Sequence, residues 1–548
     1  MMTIKTRTVT AVLLSLAAPI VFIWLSTVRL DAQGLYYDEL HQATSAFAYL
    51  GPTDRFFASV TVGDLIPLPT RLGSIPLFNM YYSGAIKSAV YGLYLRFVTP
   101  QFGVISWRLT GIFMVALGLM AFVLFAHRSV SPTALTVIVG LLLTDITMIL
   151  CTRHDWGPVA LALMLRLMLI GVWLRGEGLG QPSLGNSFAL GALVGFAVFE
   201  KLSSFVLLLP LGFFSVSKSR RSVHCLLAIV AGVFVGALPL LVANLSFLLA
   251  KGQLFSLTDM GTAPKHNWHA FFQYIWACLS LGAGENASGF ILGNSTLPLA
   301  AKVEPWLMTT AMILAMSAAW VAGLREHAAR LTFVAIFSYA GIAITVYLIP
   351  QTTWVHHWVL GTPFQYVTVG LAFDALKDYT SAMPTVVRLL RLLTPCVVGL
   401  LLTVRLAGLW SVENMLWQGE ASRTWHPNLT QMGVFAAEHA NKAIFIAADW
   451  GVATQIYCLS NGRPGLVQEI FSSYRGPDDL LQLQKKFGVN VVYVVSLNPP
   501  SNVKLENTQR IFQDFESDSH WREAKVETVV ANFTAVTVRK FLFNPRPL

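Results

Sequence analysis

The sequence predicts a polytopic α-helical membrane protein with an α/β domain at its C-terminal end. Hydrophobic residues make up 55% of the 548 residues and charged residues only 12%, and the mean hydropathy is +0.60. Soluble domains carry about 25% charged residues. The apolar residues fall into about 11 runs, most of them near the length of roughly 20 residues that crosses a bilayer. Beyond residue 411 the charge rises and no such run remains.

The apolar runs place the predicted transmembrane helices. Their approximate bounds are 8–28, 107–126, 131–150, 158–174, 185–199, 202–217, 224–250, 305–323, 331–349, 358–376 and 392–411. Basic residues of alternate loops, from Lys5 and Arg7 onward, then fall on one side, which the positive-inside rule makes cytoplasmic. This agreement requires that the apolar stretch 80–98 does not cross, so we expect an interfacial or re-entrant helix there.

The same threading divides the chain into two domains. Residues 1–411 are predicted to form a transmembrane domain with a first external loop at 29–106 and a second large external loop at 251–304. Residues 412–548 are predicted to form an extracytoplasmic α/β domain. The N-terminus is then cytoplasmic, and the polar clusters that contain the candidate site residues lie on the external side.

The C-terminal segment shows the alternation of an α/β fold. Residues 443–448 and 489–495 read as strands, and residues 478–487 between them read as a helix with apolar positions among charges. Asp449 follows the first strand, where a turn or helix-cap role is favoured over a site role. We find no phosphate-binding glycine loop and no nucleophile motif here.

Charge and cysteine content exclude other classes. The net charge of +10 is spread through short loops, which positive-inside topology explains better than a nucleic-acid partner does. The five cysteines are scattered without metal-ligand spacing.

An acidic pair in the first external loop is the leading candidate site. Asp38 and Glu39 lie about ten residues after the first apolar run, close to the membrane surface. A carboxylate there can act as a general base or bind a cation; the alternative is a solvated loop with two acids. Asp155, at the external end of the third run, can complete an acidic cluster.

Two further sets of residues have both a structural and a functional interpretation. Asp145 and Arg166 lie within consecutive apolar runs at similar depth, so we expect an intramembrane ion pair that either locks two helices or serves a substrate. His266 and His269 form an HxxH on a Trp-rich external loop, which caps a ligand or binds a divalent metal ion.

Several features together resemble the lipid-dependent GT-C glycosyltransferases, the superfamily of protein O-mannosyltransferases and bacterial aminoarabinose transferases. They are Asp38-Glu39 in a large first external loop, the segment 75–78 through 84–87 leading into Trp107-Arg108-Leu109, Asp155 after the third span, and a terminal α/β domain. Against the aminoarabinose transferases, the chain lacks a Glu-Lys-Pro ahead of its second span. It also lacks the inserted β-trefoil of eukaryotic protein mannosyltransferases.

The resemblance implies a function and a set of site residues. The donor is a sugar on a polyprenyl or dolichyl phosphate, and transfer to a glycan, lipid or protein acceptor occurs with inversion at the outer face of the membrane, here a bacterial plasma membrane. Asp38 is the implied general base, with Glu39 and Asp155 as acidic companions. The groups expected around the lipid phosphate are Lys87, Lys201, His356 and His357. Some members of the superfamily use a divalent metal ion and others do not.

Two other functions remain open at this point. A transporter or flippase of lipid-linked sugars also uses intramembrane charges, although the sequence lacks the internal symmetry common in transporters. The other hypothesis is an inactive member of the superfamily that acts as a scaffold in envelope assembly.

Overall fold

A computed structural model gives the fold of the chain. It describes residues 4–50, 67–71, 73–179, 183–215, 222–257, 268–294, 298–349, 354–377, 384–440, 442–462 and 465–544. The chain divides into two compact units. The helical unit comprises Met1–Arg29 and Arg108–Gln418, and the mixed unit comprises Leu30–Trp107 and Gly419–Leu548.

The helical unit is built from apolar α-helices. Those described are Ile4–Thr27, Val104–Ala126 (which begins in the mixed unit), Pro132–Leu143, Ile146–His154, Val159–Leu179, Leu184–Glu200, Leu208–Ser215, Val223–Gly236, Leu238–Lys251, Trp268–Leu279, Glu285–Leu292, Pro298–Ala322, His327–Leu348, Val355–Trp358, Thr362–Lys377 and Pro384–Gln418. Within the described residues, six helices are long and apolar enough to cross a membrane, or up to 8 spans if each of two bent pairs is one. The multi-pass membrane class is therefore confirmed, while the total of about 11 spans stays a prediction.

Two of the predicted continuous spans are bent. The run 131–150 consists of Pro132–Leu143 and Ile146–His154, which meet at 56°. The run 224–250 consists of Val223–Gly236 and Leu238–Lys251, which meet at 65°. Pro239 explains the second bend, because it lies in the first turn of the new helix and has no N–H to continue the preceding one.

Glycines allow two helices of this unit to pack closely together. Leu184–Glu200 and Val223–Gly236 each carry two glycines four residues apart, at 191 and 195 and at 232 and 236. A Cβ atom added at Gly195 would lie 2.2 Å from the Val233 carbonyl oxygen, and one added at Gly236 would lie 2.2 Å from the Ala192 oxygen. The two backbones touch because neither helix has a side chain there, as in GxxxG-type membrane packing.

The mixed unit contains all the strands in the described part of the chain. The described strands are β1 (Pro67–Thr70), β2 (Gly73–Pro76), β3 (Phe78–Met80), β4 (Ser83–Gly84), β5 (Ile444–Ala447), β6 (Val467–Glu469), β7 (Val491–Leu497), β8 (Trp521–Ala524) and β9 (Val536–Phe543). The first four form two antiparallel pairs, β1 with β2 and β3 with β4. The others form one sheet in the order β6-β5-β7-β9-β8, in which β5 pairs parallel with both neighbours and β9 antiparallel with β7 and β8.

The mixed unit also contains α-helices, three of which contact this sheet: Pro427–Glu438, Ala453–Leu459 and Leu505–Ser517. The described α-helices are Tyr37–Leu40, Ile86–Phe97, Pro427–Glu438, Ala453–Leu459, Pro477–Phe487, Leu505–Ser517 and Thr528–Ala531. The predicted strand–helix–strand pattern is confirmed by β5, Pro477–Phe487 and β7. All four residues of β5 are buried, which is why a central parallel strand reads as an uninterrupted apolar run.

The first loop and the C-terminal domain share one hydrophobic core. Leu40, Phe47 and Trp107 from the loop pack in the same cluster as Phe445 and Ile456 from the domain. Composition alone had attached 29–106 to the membrane helices, whereas contacts group 30–107 with 419–548. The apolar stretch at 80–98 gives the helix Ile86–Phe97 of 12 residues in this unit, about 18 Å long and shorter than the hydrocarbon core.

Candidate active site

Asp38 lies on a four-residue helix, Tyr37–Leu40, whose other three members are buried. The chain just before this helix is fixed to the α/β domain. The Leu35 amide donates to Thr430 Oγ1 at 3.1 Å, and Gln455 Nε2 donates to the Leu35 carbonyl at 3.0 Å. The partly exposed Asp38 carboxylate is therefore presented from an anchored segment rather than from a solvated loop.

Aromatic rings flank this helix. The Tyr37 ring centroid is 4.6 Å from that of Trp450, and the Tyr36 centroid is 5.0 Å from that of Trp425. Burial, with the Asp38 charge as a smaller contribution, raises the pKa of Tyr36. Burial raises the pKa of Tyr37 as well, and the nearby Glu469 and Asp38 charges add to this. Both phenols consequently remain neutral hydrogen-bonding groups at neutral pH.

Glu39 and Lys87 are buried in the same unit. The Glu39 side chain is enclosed near Cys458, where burial and then the Glu39 charge raise the pKa of the thiol. Lys87 lies in the first turn of Ile86–Phe97, with Nζ 3.7 Å from the centroid of the Trp107 ring, a cation–π contact. The next residue, Ser88, donates to the Gln42 carbonyl just beyond the Asp38 helix. The loop thus ties the helix of Lys87 to the segment that follows Asp38 and Glu39.

In the helical unit, Asp155 has a structural contact that its sequence position did not reveal. Its backbone is left-handed (φ 44°) where Ile146–His154 ends, and its Oδ1 accepts from the Ala160 amide at 2.8 Å. The side chain therefore caps the start of Val159–Leu179, and burial leaves it 1% exposed.

The residues after Asp155 meet the predicted histidines. Trp156 stacks on Phe290 at 4.4 Å between centroids and lies 4.9 Å from the His356 ring. The rings of His356 and His357 are 4.0 Å apart. Burial, and then the Lys201 charge, lower the pKa of His357. The structure thus brings Asp155, Lys201, His356 and His357 into one region of the helical unit.

Asp145 and Arg166 do not form the ion pair that was expected. Asp145 Oδ1 accepts from the Met148 amide at 2.8 Å, capping Ile146–His154, and Oδ2 accepts from the Tyr366 hydroxyl at 2.5 Å. Arg166 donates to the Ala162 carbonyl and to Ser204 Oγ. The prediction assumed a continuous span, whereas the helix breaks at Asp145 and takes the carboxylate as its cap.

The charge pair that the structure forms instead joins Arg405 to Glu304. The guanidinium Nη2 is 2.6 Å from Glu304 Oε1, and both side chains are at most 1% exposed. The Arg405 guanidinium carbon also lies 4.7 Å from the Tyr366 ring centroid. Tyr366 also donates a hydrogen bond to Asp145. Asp145, Tyr366, Arg405 and Glu304 therefore form one connected network of polar side chains.

The predicted HxxH gives no metal site in the described part of the chain. His266 lies outside the described residues, and His269 Nε2 is 3.0 Å from Gln273 Nε2. No three His, Cys, Asp or Glu side chains among the described residues come together as metal ligands.

Two acidic residues of the C-terminal domain differ in their hydrogen bonding. Asp449 Oδ2 accepts from the Leu497 and Ser501 amides at 3.2 and 2.9 Å, which is the turn role favoured from sequence. Glu469, at the end of β6, was not singled out. It is buried, and neither of its oxygens has a hydrogen-bond partner in the described structure. The signal that could have found it is a carboxylate two residues after the apolar pair Leu466-Val467.

Comparison with known proteins gives likenesses in structure rather than in sequence. No protein-family profile and no curated protein matches the chain. The structure of ArnT from Cupriavidus metallidurans in the apo state aligns with a TM-score of 0.57 at 13% identity, covering 96% of this chain and 97% of that one. The same protein bound to undecaprenyl phosphate aligns with a TM-score of 0.56 at 13% identity and the same coverage. Mycobacterial arabinofuranosyltransferase AftD aligns with a TM-score of 0.45 at 12% identity, covering 99% of this chain and 42% of that one.

The full-length alignments with ArnT establish the class of fold. The chain has the GT-C fold, a multi-pass helical membrane protein with a C-terminal sheet-containing region. The predicted likeness to GT-C proteins is thus confirmed as a likeness of fold.

Proposed function

We propose that this protein is a glycosyltransferase that moves a sugar from a polyprenyl-phosphate-linked donor to a hydroxyl of an envelope acceptor. The observation that carries the proposal is the anchored, partly exposed Asp38 on a fold that matches ArnT over nearly its whole length. A structure of ArnT holds undecaprenyl phosphate, which supports a polyprenyl phosphate as the lipid of the donor.

Asp38 acts as the general base in this proposal. Its carboxylate takes the proton of the acceptor hydroxyl while the oxygen forms a bond to the anomeric carbon of the donor sugar. The bond between that carbon and the phosphate oxygen breaks, and the lipid phosphate leaves with the electron pair. A single displacement of this kind inverts the configuration at the anomeric carbon.

The departing phosphate needs cations and hydrogen-bond donors, because charge develops on its oxygens. We assign this role to Lys87, Lys201, His356 and His357. Lys87 places its amino group over the Trp107 ring, a cation–π geometry that holds the side chain in position. The lowered pKa of His357 makes it a neutral imidazole at pH 7, so it contributes a hydrogen bond rather than a charge.

Asp155 takes a positioning role in the proposal. Its bond to the Ala160 amide fixes the turn that carries Trp156, and a Cβ atom at the next residue, Gly157, would lie 3.2 Å from the His356 ring. The left-handed turn therefore sets where the imidazole lies. Glu39, fully buried, supports the Asp38 helix rather than meeting substrate.

The cellular setting follows from the charge pattern. We propose a bacterial plasma membrane location with the N-terminus in the cytoplasm and the C-terminal domain outside, since Lys5 and Arg7 precede the first span. The donor then reacts at the outer face.

The test is sugar transfer from lipid-linked donors in membranes that carry the wild type, Asp38→Asn or Asp31→Asn. Asp31 is the matched control, because it is an exposed carboxylate of the same loop, seven residues earlier. We expect Asp38→Asn to abolish transfer at normal expression and Asp31→Asn to leave transfer unchanged. Equal turnover by wild type and Asp38→Asn would remove Asp38 as the base. Movement of labelled lipid between leaflets without transfer would favour the flippase function.

A further inference from the structure

Glu469 is an unsatisfied carboxyl at the edge of the sheet where ligands of α/β domains bind. It ends the parallel strand β6, it is 7% exposed, and both of its oxygens lack a hydrogen-bond partner in the described structure. A buried polar group left in this way costs about 1–3 kcal/mol, and native structures contain few of them. Open α/β sheets bind ligands beyond the carboxyl ends of their strands.

The surroundings of Glu469 connect it to the Asp38 segment. When ionised, its carboxylate raises the pKa of the Tyr37 hydroxyl, and the Tyr37 ring lies against that of Trp450, which follows β5 and Asp449. The Tyr36 and Trp450 rings are 6.3 Å apart, and both residues are partly exposed, as is Asp38. Two partly exposed aromatic residues and a partly exposed carboxylate thus flank Tyr37, the residue that the buried Glu469 carboxyl influences, all within the mixed unit.

We propose that Tyr36, Trp450 and Glu469 form the binding site for an uncharged sugar unit of the acceptor whose hydroxyl proton Asp38 removes. This inference rests on the proposed transferase function. A sugar ring has a face of C–H groups that packs on aromatic rings and a rim of hydroxyls that needs hydrogen-bond partners. The aromatic rings provide the apolar surface for the C–H face, and Glu469 provides a hydrogen-bond partner for the hydroxyls.

The charge of the site indicates why the sugar is uncharged. The groups that act on the Tyr37 hydroxyl are Glu469, Asp38, Tyr82 and Tyr36, and no cation is among them. A uronic acid or a phosphorylated sugar would be repelled by the Asp38 carboxylate. Burial raises the pKa of Glu469 to about 8, so at neutral pH this carboxyl carries an O–H and can donate to a sugar oxygen as well as accept.

Saturation-transfer NMR on the full chain tests the site without requiring turnover. The protein is held in a detergent that has no sugar headgroup, and the probes are methyl α-mannoside, methyl α-arabinofuranoside and, as the anionic match, glucuronate. We expect a signal for at least one neutral glycoside with the wild type and none with glucuronate. Trp450→Leu and Glu469→Leu should each weaken glycoside binding about 3- to 10-fold.

Two variants separate binding from folding. Glu469→Gln keeps a neutral hydrogen-bonding group and should bind within about 3-fold of the wild type. Glu438→Leu removes an exposed carboxylate of the same unit and should bind as the wild type does. No neutral glycoside signal with the wild type, or equal signals with the wild type, Trp450→Leu and Glu469→Leu, would overturn the proposal.

The two proposals fail in different ways. If Asp38→Asn abolishes transfer while Trp450→Leu and Glu469→Leu leave glycoside binding unchanged, the proposed sugar site is wrong and the proposed transferase function is supported. If glycoside binding depends on both residues while Asp38→Asn retains full turnover, the sugar site stands and the base assignment is wrong.

Discussion

Replacing Glu469 with glutamine should change how the stability of the protein depends on pH. Glutamine has nearly the same shape as the protonated carboxyl but does not ionise. In the folded protein, burial raises the pKa of Glu469 to about 8 from an ordinary value of 4.5. Folding therefore favours the protonated acid. The stability that depends on this proton is fully present below pH 4.5, falls as the pH rises towards 8 and is lost above it.

The size of this effect follows from the two pKa values. The difference between about 8 and 4.5, at about 1.4 kcal/mol for each unit, gives a penalty of about 5 kcal/mol once the group is ionised. Most of the penalty develops between pH 5 and pH 9, so wild type and variant should diverge by about 4 kcal/mol over that range. For a mixed unit of about 200 residues, that difference corresponds to roughly 10 °C in melting temperature.

The assay is thermal unfolding of the full chain in detergent, followed by tryptophan fluorescence at pH 5, 6, 7, 8 and 9. The wild type should lose stability relative to Glu469→Gln as the pH rises, and Glu438→Gln, a change at an exposed carboxylate of the same unit, should follow the wild type throughout. Parallel curves for wild type and Glu469→Gln would refute the reasoning, because they would show that the carboxyl ionises as easily in the folded protein as in the unfolded chain.

Three further changes test the packing of the helical unit. Arg405→Leu leaves the Glu304 carboxylate buried without its partner and should destabilise the protein by about 3–5 kcal/mol, whereas the double change to leucine should recover most of the loss in a detergent melt. Gly195→Leu puts a Cβ atom 2.2 Å from a backbone oxygen of the facing helix and should lower the melting temperature far more than Gly212→Ala, where a Cβ atom has open space; equal melting temperatures would contradict the close packing. Asp155→Ala should cost about 1 kcal/mol of stability through the lost helix cap, and Asp155→Asn should retain most of it; loss of transfer in a fully stable Asp155→Asn would instead make this residue catalytic.

Periodicity and composition were enough to predict secondary structure where a residue's environment depends on its near neighbours in the sequence. The run at 443–448 predicted the strand β5, Ile444–Ala447, because a parallel strand buried on both faces has an apolar residue at every position. The amphipathic run at 478–487 predicted the helix Pro477–Phe487 for a similar reason, since its buried and exposed positions recur with the helical period.

Prediction failed where local geometry interrupted a regular element. Asp145 was read as a charge inside a continuous span, so Arg166 on the next span was its natural partner. The helix instead breaks at Asp145, whose carboxylate caps the new helix and accepts from Tyr366. A broken helix exposes backbone N–H groups that need acceptors, and hydropathy averaged over a run does not detect such a break.

The sequence by itself determined the membrane class, the helical spans as apolar runs and the α/β nature of the C-terminal segment. These properties follow from the hydrophobic effect acting on stretches of neighbouring residues. Only the tertiary structure decided that the Asp38 loop packs in the core of that segment, through contacts such as Gln455 with Leu35, 420 residues apart. It alone also placed the unsatisfied Glu469 carboxyl beside that loop. Burial and electrostatics of a side chain depend on which distant residues enclose it, and that is settled by packing in three dimensions.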